Sequence, residues 1–528
     1  MSRQIPASLK ARSAIVVGSG MGGLACAALL AARGVDVRVF ERAPADGGKM
    51  RTHAVGGLSI DAGPTVLTLR GVFDELFDAV GGRLDDAVTL RPARTLARHA
   101  WTAGTAVSRL DLHADLDEAV DAIGRFAGSA DARGYRAFCS RAAAIHDALE
   151  APFMRAGRTG VAGLLWRGGA RGLPGLLRIS PFASLWRELA RHFGDPRLQQ
   201  LFGRYATYCG SSPWLAPATL MLVAHVERQG VWFVDGGMQR LAEAVAALAV
   251  RHGARIRHGA DVREVLTRDG RACGVRLADG ELAHADAVVF NGDVSALATG
   301  LLGEAAARGL GAHARRWRSP GGRSLSALTW SVAARTAGLP LLRHNVLFSE
   351  DYAAEFEALS AGRLPADPTV YVCAQDRGDK DDAASSDGPQ RLLFLVNAPA
   401  ATSRHALTEQ EIARCENQAF RRMARCGLQL APVAPMRRTT PSDFAALFPG
   451  TGGALYGPPS HGWRASFQRM GARHPLPGLY LAGGSTHPGP GVPMAALSGR
   501  LAALAVCEDL LSTSRSRPMA MHGGMSTP

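Results

Sequence analysis

Residues 13–34 read SAIVVGSGMGGLACAALLAARG. Four apolar residues, Ala14–Val17, run into a glycine turn from Gly18 to Gly23. A run of small and apolar residues, Leu24–Ala32, follows and ends at Gly34. Val35–Phe40 then reads as a second strand with Glu41 at its tip. The pattern predicts a β-α-β unit with Gly18-x-Gly20-x-x-Gly23 between strand and helix, the context that makes this motif informative. Gly18 makes the tight turn, Gly20 lets a pyrophosphate approach the backbone, and Gly23 lets the helix pack on the strand. Gly22 lies in the same turn. The free N–H groups and positive end of the helix then face the phosphates. Glu41 stands 21 residues past Gly20, where a carboxylate accepts both ribose hydroxyls and repels a 2′-phosphate.

The next segment separates FAD from NAD. RAPADGGKMRT at 42–52 and IDAGPTVL at 60–67 give a second close approach at Gly47-Gly48. Lys49 and Arg51 are cations beside the dinucleotide, and Gly63, Pro64 and Thr65 form another tight turn. More than four hundred residues on, GLYLAGGSTHPGPGVPMAALSGR at 478–500 repeats the strand, turn and helix. Gly483, Gly484 and Ser485 make the turn, and Val492, Pro493 and Met494 open the helix. Two distant turns with bare helix ends suit one long ligand with two electron-rich parts, so the cofactor is expected to be FAD. The second helix points its positive end at the flavin. His487 reads as a turn residue hydrogen-bonded to backbone. No catalytic acid or base and no metal set is visible.

Around these motifs the chain is globular, 528 residues with 47 % apolar and 20 % charged side chains. A net charge of +14 admits nucleic acid, an anionic membrane or an acidic substrate as partner. Heavy Ala, Gly and Arg usage discounts charge as a guide, and no nucleic-acid motif supports the first option. The eight cysteines form no C-x-x-C pair, which predicts free thiols and a reducing compartment. No signal peptide or spanning helix is expected.

The expected architecture is α/β. An FAD-binding Rossmann-like domain is assembled from 1–110, 226–290 and 451–512. A substrate and membrane-association domain of α+β character is inserted at 111–225, mainly helical, and at 291–450, mixed. A disordered tail is expected at 513–528. Within the insertion, APFMRAGRTGVAGLLWRGGARGLPGLLRISPFASLWR at 151–187 holds six Arg and no acid, interleaved with Phe153, Trp166, Phe182 and Trp186. Such a mixture suits a bilayer interface, or else a half-buried stretch with a solvated basic edge.

The order GSGMGGL, ERAPADGGKMRT, DAGPTVL, GVWFVDGGMQRL and LYLAGGSTHPGPGVPMAALSG resembles the bacterial-type carotenoid desaturases, FAD enzymes related to phytoene desaturases, up to about residue 510. More narrowly, AGPTVLTLRGVFDELF, TYCGSSPWLAPATLMLVAHVERQGVWFVDGG and GVPMAALSGRLAAL are similar to the 1-hydroxycarotenoid 3,4-desaturases. The resemblance implies phosphate glycines at Gly18, Gly20 and Gly23, a ribose acid at Glu41 and basic positions at Lys49 and Arg51. It also implies a backbone contact to adenine at Val262 and flavin-side positions at Gly483, Gly484 and Met494. Where many flavin oxidases carry Gly-Asp, this chain has Gly484-Ser485, a weaker polar contact. The implied reaction removes hydrogens from C3 and C4 of an acyclic 1-hydroxy or 1-methoxy carotenoid by hydride transfer to flavin N5. Oxygen or a quinone is the final acceptor. The protein is expected to be peripheral, on the cytoplasmic side of the inner or intracytoplasmic membrane. A multi-step phytoene desaturase, a carotenoid isomerase, an amine or porphyrinogen oxidase and a non-enzymatic carotenoid carrier stay open as alternatives.

Overall fold

The computed structural model describes residues 9–157, 182–311, 313–319, 322–378, 388–401 and 406–515. Its organising element is a five-stranded parallel sheet in the order Leu479–Leu481, Ala287–Phe290, Ser13–Val17, Asp36–Phe40, Arg255–Arg257. Strands covered on both faces read as continuous apolar runs, which is why AIVV and AVVF carry no polar alternation. Alternate residues nevertheless go to opposite sides. Ala14, Val16, Val37, Val39, Ala287 and Val289 pack toward the helices Met21–Ala31, Met238–Arg251 and Val492–Arg515. Ile15, Val17, Phe40, Val288 and Phe290 pack on the three-stranded antiparallel sheet of Val262–Arg268, Arg271–Leu277 and Leu282–His284. The Asp269-Gly270 turn of that sheet has φ of +51° and +71°, as a two-residue hairpin requires.

The helix Met21–Ala31 is buried along its whole length. It tolerates this because it holds no polar side chain, only Gly, Ala, Cys, Leu and Met. A Cβ on Gly499 would lie 2.1 Å from the Gly22 carbonyl oxygen, so the first and last helices cross in backbone contact. The helix therefore begins at Met21 rather than at the expected Leu24. Gly22 and Gly23 belong to its first turn, since crowding there requires glycines inside the helix.

A second, eight-stranded sheet runs in the order Leu428–Pro432, Ser326–Gly338, Gln390–Ala398, Val370–Ala374, His344–Leu347, Thr95–Ala103, Ala106–His113, with Arg437–Thr439 also on Ser326–Gly338. One face, with Leu328, Trp330, Val372 and Phe394, packs on the helix Glu409–Arg425. The opposite face supports helices between 116 and 229 through Tyr371, Cys373 and Leu393. The segment 111–225 is indeed mainly helical, and the three strands expected near 327, 369 and 391 are present. Two expectations shift. Residues 95–110 pair into the second sheet, so a boundary at 110 would cut a hairpin whose strands share one core. The last helix runs to Arg515, continuing its register past 513; the rest of the expected tail lies outside the described residues. So does the middle of the basic segment, 158–181. Among the described residues no helix is long and apolar enough to cross a membrane, and all eight cysteines are free.

Candidate functional site

Four neighbouring parallel strands end, at their carboxyl ends, on Gly18, Glu41, Asn291 and, two residues beyond Leu481, Gly483. Ligands bind in such sheets in the crevice outside these ends, where the strand order reverses. Here the crevice opens into one cavity of about 1860 Å³, roughly twice the upper range of a single small-molecule site. Every residue expected to bind the cofactor except Gly23 lines it. Gly23 sits behind the turn, where a Cβ would be 2.2 Å from the Gly18 carbonyl oxygen.

The two glycine turns are adjacent. A Cβ on Gly22 would stand 2.7 Å from the Gly483 nitrogen and 2.8 Å from Asn291 Oδ1. Asn291 Nδ2 donates to the Gly18 carbonyl at 3.1 Å, and Ser498 Oγ accepts the Gly483 N–H at 2.7 Å. Gly18 and Gly483 have φ of +99° and +107°, values that favour glycine. A Cβ on Gly20 would lie 2.9 Å from Asn291 Nδ2, so that position is glycine for the protein's own packing as well as for any ligand. The helix starting at Met21 has no side-chain cap and no acid in its first turn. The one starting at Val492 also lacks an acid there. Both positive ends face the cavity.

Glu41 is buried and held by three donors: Ser19 N at 2.7 Å and Ser19 Oγ at 3.1 Å on Oε2, and Ala43 N at 2.8 Å on Oε1. Val262 opens its strand on the same wall of the cavity. Gly48 has φ of +60° and lies against Gly20, and a Cβ on Gly63 would be 1.9 Å from the Lys49 carbonyl oxygen. The loops carrying Lys49 and Gly63-Pro64-Thr65 are therefore pressed together.

The cations of this wall are poorly served by the protein. Lys49 donates to the Leu455 carbonyl and lies over the Phe448 ring at 5.4 Å. Burial pulls its pKa down, with Asp293 acting the other way. Arg51 stacks on Phe444 at 5.1 Å, but its buried Nε and Nη2 have no hydrogen-bond partner. Burial, then Arg437, lowers its pKa to about 10. An unpartnered buried cation and two helix ends with no acid in their first turns are what an anionic, electron-rich ligand satisfies. The chain's donor set thus fits a flavin dinucleotide.

Ser485 Oγ accepts the Val294 N–H at 3.1 Å and keeps its own proton to donate. His487 is 2 % exposed and its Nε2 lies 2.9 Å from the Phe153 and 3.0 Å from the Ala156 carbonyl oxygens, the turn role expected. Away from the crevice the cavity is walled by Leu149, Phe153, Leu220, Val223, Val226 and Leu395. Phe153 is thus a cavity residue, and Arg155 is paired with Glu75 and Glu150, so neither forms the interface suggested for 151–187. Phe182 is the exception at 80 % exposed. It lies at the cavity's rim, 5.6 Å from the Trp463 ring.

Sequence reasoning missed Asn291 and Arg469. Arg469, 3 % exposed, donates to the carbonyls of Tyr456, Pro458, Gly484 and Ser485 and so fixes the second glycine turn. Asn291 was findable, because Asn-Gly-Asp directly follows the strand ending at Phe290. Arg469 offered no local signal. Nor did sequence spacing show that His146, Asp147 and His225 come together with ligand atoms within 4.8 Å, outside the cavity.

Comparison with known proteins agrees with this geometry. The family model of flavin containing amine oxidoreductases matches residues 21–507. The chain is 53% identical over 521 residues, 98% of each chain, to a hydroxyneurosporene desaturase of Rubrivivax gelatinosus. It is 46% identical to one of Cereibacter sphaeroides, covering 95% of this chain and 98% of that one. Among solved structures, an oxidoreductase from Methanosarcina mazei superposes with a TM-score of 0.60 at 16% identity, over 94% of this chain and 100% of that one, a likeness of fold alone.

Proposed function

The chain belongs to the flavin containing amine oxidoreductase family, and we propose that within it the protein is an FAD-dependent carotenoid desaturase. It introduces the C3–C4 double bond into an acyclic 1-hydroxy or 1-methoxy carotenoid such as hydroxyneurosporene or rhodopin. The observation that carries this reading is one cavity of about 1860 Å³ that takes in both the dinucleotide crevice and an apolar wall of Leu149, Phe153, Leu220, Val223, Val226 and Leu395. The relatives' printed name supports the substrate class.

In this reading Gly18, Gly20, Gly22 and the first helix end hold the pyrophosphate, Glu41 takes the ribose hydroxyls and the backbone at Val262 meets adenine. Lys49, Arg51 and the Gly63-Pro64-Thr65 turn lie along the middle of the cofactor. Gly483, Gly484, Ser485 and the helix end at Val492-Pro493-Met494 lie at its redox end. When bound, FAD supplies the hydride acceptor. The chain contributes orientation and a dry site. The apolar wall aligns the polyene, whose conjugation stabilises the carbon that loses hydride, and excludes water. The proton leaves from the neighbouring C3, acidified by the positive charge developing at C4, so a weak acceptor such as a carbonyl or a water suffices and no strong base is required. The substrate's home is the bilayer, and the exposed Phe182 beside Trp463 and Arg464 at the rim suits peripheral docking there. The oxidant is of the oxygen or quinone class.

The test is product analysis in cells making hydroxyneurosporene or rhodopin, and with purified holoprotein in air and in sealed anaerobic vessels with a quinone. A red-shifted product carrying two fewer hydrogens, formed from the hydroxylated substrate, is expected. Conversion of phytoene instead, or binding without conversion, overturns the reading.

A further inference from the structure

A polar cluster interrupts the apolar wall of the cavity. Arg204, Tyr208 and Glu227 meet there with Tyr371 and Thr65, and all five line the cavity. Arg204 lies at the end of a buried helix, Tyr208 one turn later, Glu227 on the helix Leu222–Gln229 and Tyr371 on the second sheet. Four separate elements thus bring polar groups to one spot.

The cluster is built rather than incidental. Thr65 Oγ1 and the Tyr371 hydroxyl are 2.7 Å apart, and the same hydroxyl is 2.7 Å from His344 Nδ1. Tyr205 donates to Glu227 at 2.7 Å. The Arg204 guanidinium lies 5.3 Å from both the Tyr208 and Tyr371 ring centres. Among the described residues it makes one hydrogen bond, from Nη1 to the Tyr208 oxygen at 3.1 Å. A guanidinium carries five N–H donors. Arg204 keeps accessible surface although it is deep in the molecule, and it lines both the cavity and a small void beside it.

A cation placed against a hydrocarbon tunnel is costly unless an occupant supplies an acceptor. A pure hydrocarbon has none. A tertiary alcohol has two lone pairs and one proton, matching Arg204 as donor and a phenol or carboxylate oxygen as acceptor. Position agrees. Gly210, which closes the helical turn carrying Arg204 and Tyr208, lies against the Tyr456 ring, where a Cβ would be 2.5 Å from Cδ2. Arg469 ties the Tyr456 carbonyl to those of Gly484 and Ser485, so the cluster borders the redox end of the cavity. In a 1-hydroxy end group the oxygen is only a few bonds from C3 and C4. A receptor for that oxygen must stand next to the reacting carbons, as this cluster does.

We propose that Arg204, with Tyr208, Glu227, Tyr371 and Thr65, is the receptor for the C1 oxygen of the substrate, and that it sets which end group and which bond are desaturated. This rests on the carotenoid reading above. A methoxy group keeps the bond from Arg204 but lacks a proton, so it ranks between the hydroxyl and the unsubstituted end.

The test is equilibrium binding to the holoprotein by quenching of protein fluorescence, with hydroxyneurosporene, its methoxy ether and neurosporene, alongside turnover of each. The wild type is expected to prefer the hydroxylated ligand by roughly 100-fold. Arg204→Met is expected to collapse that preference to a few-fold while holding neurosporene as the wild type does. Tyr371→Phe narrows it less, and decides the matter if Arg204→Met fails to fold. A preference unchanged in the folded variants, or equal weakening toward all three ligands, overturns the receptor. If the wild type converts hydroxylated and plain ligands alike, the desaturase reading stands and the receptor falls. If it binds the hydroxylated ligand preferentially but forms no product, the receptor stands and the desaturase reading falls.

Discussion

Arg51 illustrates how a single side chain can be costly to the empty protein and useful to the loaded one. Two of its nitrogens are buried with no partner, and its stacking on Phe444 offsets only part of that cost. Arg51→Met is therefore expected to leave the thermal midpoint of the FAD-free protein unchanged or raised. It is also expected to weaken FAD by roughly tenfold to a hundredfold. Calorimetry on apoprotein and flavin titration read the two effects separately. A fall in apoprotein stability with unchanged flavin affinity would make Arg51 a packing residue. At this scale the sequence was legible where a role is set by neighbours in the chain. Gly18, Gly20 and Glu41 share one local unit, and their spacing carries its meaning. Asn291 and Arg469 act on glycines far away in sequence, across the sheet or along a folded loop, and only the fold reveals what they touch.

Among elements, the parallel strands and the first and last helices were legible because a short apolar run ending in glycines has few other readings. The start of the first helix was misplaced because glycine normally signals a turn, and here it marks the crossing of two backbones at Gly22 and Gly499. The basic stretch was harder, since composition does not say which aromatic faces out. Phe153 turned inward, while Phe182 stayed at the surface beside Trp463, with Leu215 also 50 % exposed. These rim loops carry the docking role proposed for this face. Phe182→Ser combined with Trp463→Ser is expected to weaken flotation on vesicles containing anionic lipid by about tenfold, the loss of one or two inserted rings. Undiminished flotation with intact flavin content would remove this rim from the membrane contact.

For the whole molecule, buried titratable groups set an acid limit. Burial holds His53 and His474 at about 4 and His99 and His344 at about 3. Each is neutral when folded and takes up a proton on unfolding below its ordinary 6.5. Stability carried by these groups is present above about pH 6.5 and is lost as pH falls toward their folded values. Glu355 works in the opposite sense. Burial raises it to about 7, so its contribution is lost as pH rises from the ordinary carboxylate range to 7. Burial likewise raises Asp61 and Glu227 and lowers His192, His225 and His461, and the lowered histidines outnumber the raised carboxyl groups. Between about pH 4.5 and 6.5 the free energy of unfolding is expected to rise with pH, measured by urea titration. A flat or falling profile would contradict the burial of these rings.

The parallel sheet that holds the glycine turns takes its outermost strand, Leu479–Leu481, and its covering helix, Val492–Arg515, from the last tenth of the chain. The second wall of the crevice therefore exists only once these late residues have joined the sheet. Until then Gly22 and Asn291 lack the backbone they press against, and the first glycine turn is a half-site. Flavin loading therefore needs both sides of the sheet in place: a chain cut ahead of Leu479 keeps the first glycine turn but has nothing with which to polarise the ring.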